Sequence, residues 1–141
     1  MRLCLGIVLV LISCNTLSAG ILPFKGKALK VQEQFKATIN KKKAPKFKTR
    51  FITNQKKWQE VWSTMSPKTK LPKVDFQKTF IVWSRKDIND PNRVSLVVSV
   101  DKKGKVHTLE STTLIGFQAG DSWLFTFHVY SRKDVKEFPV K

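Results

Sequence analysis

The chain has 141 residues, 27 of them Lys or Arg and 10 Asp or Glu, for a formal net charge of +17. With 41% hydrophobic and 11% aromatic residues it carries enough apolar side chain to pack a core, which excludes a chain disordered throughout. The charge is regional: residues 25–57 hold twelve Lys or Arg against one acid, Glu33, a balance of +11, whereas residues 58–141 hold fourteen against nine, a balance of +5.

Leu3 to Ile12 is almost wholly apolar and follows one positive residue, Arg2. An apolar run of about ten residues matches the core of a secretory leader, whereas a membrane-spanning helix needs roughly 20. Two modes of processing are written into "LISCNTLSAG" at 11–20. Leu11-Ile12-Ser13-Cys14 has the form of a lipobox, in which Cys14 becomes the lipidated first residue of a membrane-anchored lipoprotein. Ser18-Ala19-Gly20 offers the small residues of an ordinary cleavage site. The expectation is a signal peptide over 1–20 and a released, secreted or periplasmic protein, with the lipoprotein as the alternative. Both cysteines, Cys4 and Cys14, fall in this leader. The remaining 21–141 therefore has no disulfide, no thiol nucleophile and no cysteine metal ligand, and is long enough for a single domain.

In "VQEQFKATIN", Val31, Phe35, Ala37 and Ile39 stand at odd positions with Gln34, Lys36 and Thr38 between them, the period of a half-buried strand. "NKKKAPK" reads as a turn and "FKTRFI" (47–52) as a return strand, so a basic hairpin is expected over about 31–52 with the triple lysine at its tip. In "TNQKKWQEVWSTMSP", Trp58, Val61, Trp62 and Met65 recur at i, i+3, i+4 and i+7, one apolar stripe of a helix. Thr53 or Asn54 can cap its start, and Pro67 stops it. "TFIVW" (79–83) is apolar on both faces, as a strand covered on both sides would be. "RVSLVVSV" alternates, "DKKG" (101–104) is a hairpin turn, and "KVHTLESTTL" follows. "SWLFTFHVY" sets Trp123, Phe125, Phe127 and Val129 on one face. Strands around one helix predict an α+β domain, a mostly antiparallel curved sheet with the amphipathic helix packed on it. The expected core is Trp58, Val61, Trp62, Met65, Phe80, Val82, Trp123, Phe125 and Phe127, and Trp62→Ala is expected to cost about 3–5 kcal/mol.

Chemistry is sparse. His107 and His128 are the only histidines, and neither has a His or Cys partner at metal-ligand spacing. No Gly-x-Ser-x-Gly elbow, phosphate-cradling glycine loop or HExxH helix occurs. Asp87, Asp90 and Asp101 fall in predicted turns, where bonds to nearby backbone account for them. The reading is of a non-enzyme with no metal and no cofactor. Lys41, Lys42, Lys43, Lys46, Lys48 and Arg50 are the candidate site, a basic patch for a polyanion such as nucleic acid, anionic lipid or acidic cell-wall polymer, against the plainer reading of a solvated face. Replacing Lys41, Lys42 and Lys43 with Gln is expected to flatten the salt dependence of such binding without altering the melting temperature.

Trp58-x3-Trp62 on a helix, followed by "LPKVDFQKTFIV" at 71–82, resembles the C-terminal domain of the protease-complex subunit PrcB and related small bacterial exported proteins. Pro72, Val74, Asp75, Phe76 and Lys78 occupy that family's Pro-x-Val-Asp-Phe-x-Lys pattern. The late "FHVYSRKD" (127–134) is similar to its last long strand and the basic residue after it. Where family members commonly show a Thr-Gly-Gly-Tyr-like turn, this chain has "KDINDPNR" at 86–93. The resemblance covers roughly 50–135. It implies a β-rich, non-catalytic extracytoplasmic domain that accompanies an exported protease or envelope complex, and it carries over no catalytic residue.

Overall fold

A computed structural model describes residues 26–91, 94–112, 116 and 118–139; the expected leader, with Cys14, lies outside them. Within them the order is β1 (Lys27–Ala28), β2 (Val31–Asn40), a 3-10 turn (Lys41–Lys43), β3 (Phe51–Ile52), α1 (Gln55–Met65), β4 (Thr79–Asp87), β5 (Val94–Val100), β6 (Val106–Thr112) and β7 (Ser122–Ser131). The class is α+β, and every strand pair is antiparallel. None of the described helices is long and apolar enough to cross a membrane.

Helix α1 begins and ends for local reasons. Asn54 is its N-cap, and its side-chain oxygen accepts from the Lys57 N–H at 2.9 Å. Ser66 closes the last turn by donating its N–H to the Trp62 carbonyl, and Pro67 prevents continuation. The stripe of Trp58, Val61, Trp62 and Met65 is buried, as its spacing requires.

Strand β4 explains why the fold has three layers. Its alternate residues are apolar on both faces, so each face must be covered. Ile81 and Trp83 face α1 in a core with Phe125, Phe127 and Val129 of β7. Phe80 and Val82 face the other way, into a second core with Val98, Val106 and Tyr130. The strands therefore divide into two sheets where one had been expected: β2-β7-β4-β3, and β1-β5-β6 packed across its far face. Burial raises the Tyr130 hydroxyl pKa to about 12.

The hairpin expected over 31–52 does not form. β2 pairs with β7, in register from Glu33 opposite Val129 to Asn40 opposite Ser122 with the register shifting between Val31 and Glu33, and β3 pairs with β4. β7 offers β2 a matching apolar face, Phe127, Phe125 and Trp123 opposite Phe35, Ala37 and Ile39, over a ladder longer than 47–52 could provide. Repulsion among the like charges between β2 and β3 also disfavours gathering them at a tight hairpin tip. β2 and β3 thus occupy opposite edges of the four-stranded sheet, and residues 41–50 must cross its full width on the helix side. Three interstrand spacings amount to roughly 14 Å, within easy reach of ten extended residues.

The pattern at 72–78 performs the local roles its residue types suggest. Val74 and Phe76 pack against the α1-side core, and Asp75 accepts from the Gln77 N–H at 3.0 Å. Arg132, just after β7, donates to the Phe76 carbonyl at 2.9 Å, which ties this stretch to the last strand.

Candidate functional site

The crossing segment 41–50 is fastened to the sheet from its inner side. Phe47 lies 4.8 Å from Trp83 and 5.7 Å from Phe125, ring centre to ring centre, and Ala44 joins the same core. The Trp83 indole N–H donates to the Thr49 carbonyl at 3.0 Å. With its apolar side chains turned inward, the segment presents Lys42, Lys43, Lys46 and Lys48 to solvent.

Lys41 and Arg50 behave differently from the other four cations of the expected patch. Lys41 forms an ion pair and hydrogen bond with Asp87, whose side chain is only 3% exposed. Arg50 does the same with Glu110 of β6. The expected patch of six is therefore two structural clamps at its ends and four exposed lysines between. Asp87 also accepts from the N–H groups of Asn89 and Gly120, so it is more than the turn residue expected; it ends β4. The Lys41 bond, assisted by those backbone donors, holds the Asp87 carboxyl down at about 2. A lowered carboxylate pKa contributes stability that is complete above the ordinary 3.8 and is lost as pH falls through about 2. The expectation for Lys41 changes accordingly. Lys41→Gln leaves a buried carboxylate without its cation and should lower the melting temperature, while Lys42→Gln and Lys43→Gln should not, as thermal unfolding of the three single variants will read.

Between the segment and the sheet lies a cleft of about 560 Å³ lined by Lys41, Lys46, Arg50 and Arg85, by the single acid Glu110, and by Phe47, Trp83 and Trp123. Three of its four cations are backed by indole rings. Lys41 Nζ is 4.5 Å and Arg85 Cζ 4.8 Å from the Trp123 ring centre, and Arg50 Cζ is 5.9 Å from that of Trp83. Such contacts orient a cation and, at exposed sites, contribute about 0.5–1 kcal/mol each. Arg85 is exposed, and among the described residues it forms no ion pair.

In the sequence Arg85 and Glu110 go unremarked, Asp87 reads as a turn residue, and Trp83 and Trp123 read as packing residues of apolar strands. The available signal was the alternation Trp83, Arg85, Asp87, which puts all three on one face once β4 is allowed to run past Trp83. The other expected core residues, Trp58, Val61, Trp62, Met65, Phe80, Val82, Phe125 and Phe127, are buried, and Trp123 is partly buried at the cleft.

The histidines lie apart from this cleft. His107 Nε2 is 3.0 Å from Asp101 Oδ2 at the β5–β6 turn. His128 lies between Gln34, 3.0 Å from its Nδ1, and Ser84, 3.3 Å from its Nε2. Burial, then the nearby Lys36, lowers the His128 pKa below 6.5. In the pH interval below 6.5 the unfolded chain takes up this proton before the folded one. Stability contributed by neutral His128 is thus complete above 6.5 and declines as pH falls through the folded value. His128→Gln should flatten that part of a plot of unfolding free energy against pH. Among the described residues no three His, Cys, Asp or Glu gather as a metal-binding group. No protein family, curated protein or solved structure matches the chain.

Proposed function

We propose that this chain is a non-catalytic binding domain that engages a linear, phosphate-bearing polyanion through the 41–50 segment and the cleft beneath it. One observation carries the reading. Lys42, Lys43, Lys46 and Lys48 stand exposed on one ten-residue segment, beside an Arg85 with no ion-pair partner among the described residues. The association is electrostatic and gains from counterion release.

Two further features favour a polymer over a bilayer and charge over base reading. The segment's apolar residues, Ala44 and Phe47, are packed inward and offer no wedge to insert among lipid chains. The Trp83 and Trp123 rings are engaged by Arg50, Lys41 and Arg85, so base stacking is not their role here. The test uses duplex DNA as a polymer of known charge spacing, beside vesicles of anionic lipid. Retention of duplexes of unrelated sequence with equal affinity, and release by salt, is expected. Binding confined to the vesicles, or to one DNA sequence, would refute it.

One observation favours a second reading, as an accessory partner of an exported protease or envelope complex. The two stretches that carry the PrcB resemblance meet at a hollow of about 550 Å³ lined by Asp75, Lys78, Arg132 and Lys133 among others. An envelope protein that co-purifies with the parent in high salt and is lost on Lys78→Glu with Lys133→Glu would support it. Retention by that double variant would remove the hollow from consideration.

A further inference from the structure

A uniform basic surface would attract any anion. The cleft has more specific chemistry, because two of its four cations are guanidinium groups, each a planar fork of five N–H donors. Arg85 is held against the face of Trp123, which leaves the edge of the guanidinium free to donate. Arg50 spends Nη1 on Glu110 and keeps its other donors. A carboxylate has two oxygens and is satisfied by a single fork. A phosphate or sulfate group offers three or more oxygens and can be shared between two forks, with Lys46 supplying a third cation at the same cleft.

We propose that the cleft beneath the 41–50 segment is a discrete site for a tetrahedral oxyanion, a phosphate or sulfate ester, held by Arg85 and Arg50. The site rests on the polyanion reading and deepens it. Exposed lysines would gather the polymer, and the cleft would grip one esterified group along it.

The test titrates the full chain with inorganic phosphate, sulfate and acetate at constant ionic strength, following tryptophan fluorescence and heat. Phosphate, sulfate or both should saturate at one site per chain, and acetate should bind at least tenfold more weakly. Arg85→Gln should weaken oxyanion binding at least tenfold. Arg85→Lys should restore little, since an ammonium keeps the charge and loses the fork. Lys102→Gln, on the exposed β5–β6 turn, is the control and should match the parent. Saturation by phosphate alone or by sulfate alone would name the ester. Acetate binding as tightly as phosphate, a response that never saturates, or an Arg85→Gln variant that melts and titrates like the parent would overturn the proposal. Polymer binding that persists unchanged in Arg85→Gln would sink this site and leave the lysine reading standing. Saturable phosphate binding with no affinity for any polymer would do the reverse.

Discussion

Trp58→Ala is expected to cost about 3–5 kcal/mol, the range for large aromatic truncations in packed interiors. Trp58 is 0% exposed and packs against Phe35, Trp62 and Phe127 at ring-centre distances of 5.9, 5.1 and 5.1 Å. Its indole N–H donates to the Pro72 carbonyl at 3.0 Å, and removing it leaves that oxygen without the bond, a further loss of about 1 kcal/mol. For a domain whose total stability is of the order of 5–15 kcal/mol, this substitution takes a large share. Trp62 provides an internal comparison. Its Nε1 is buried with no partner among the described residues, so Trp62→Phe should be tolerated better than Trp58→Phe. Urea unfolding of the three variants reads both contrasts as midpoint shifts at constant slope. A Trp58→Ala protein that unfolds with the parent would mean that the tryptophan pair is not a structural core.

What the sequence made legible were the elements whose evidence is local. The 3.6-residue stripe from Trp58 to Met65, bounded by Asn54 and Pro67, needs nothing outside its own window. The alternation in 122–131 is equally self-contained. What it could not supply was pairing. Alternation says which side chains share a face and is silent about the neighbouring strand, so β2 was given the nearest apolar stretch as partner when its true partner begins over eighty residues later. The site was half hidden for the same reason. The lysines of 41–50 are plain in the sequence, whereas Asp87 and Glu110 are 46 and 60 residues from the cations they engage. Arg85 and Asp87 follow an apolar run and resemble the start of a loop. They belong to the strand because Asp87 is satisfied by Lys41 and two backbone donors, a long-range fact.

The second large effect concerns salt. With the charges of Lys41 and Arg50 offset by Asp87 and Glu110, the cations that add net charge toward phosphates are Lys42, Lys43, Lys46, Lys48 and Arg85. About five contacts on duplex DNA give a slope of log affinity against log salt near −4.5, so binding should weaken roughly 500-fold between 50 and 200 mM salt. Unrelated duplexes should show the same slope, because phosphate contacts position a protein without reading bases. Replacing all four lysines with Gln should remove about four contacts and flatten the slope by about 3.6 units. Their exposed side chains hold no part of either core, so the variant should melt with the parent.

That pair of slopes, parent against the variant carrying Gln at 42, 43, 46 and 48, is the most direct measurement of whether this face binds polyanions. A parent slope near −4.5 and a variant slope near −0.9, with equal melting temperatures, is the expected result. No binding by the parent at 50 mM salt, or a slope that survives the four replacements, would contradict it and leave the lysines of 41–50 as a solvated face.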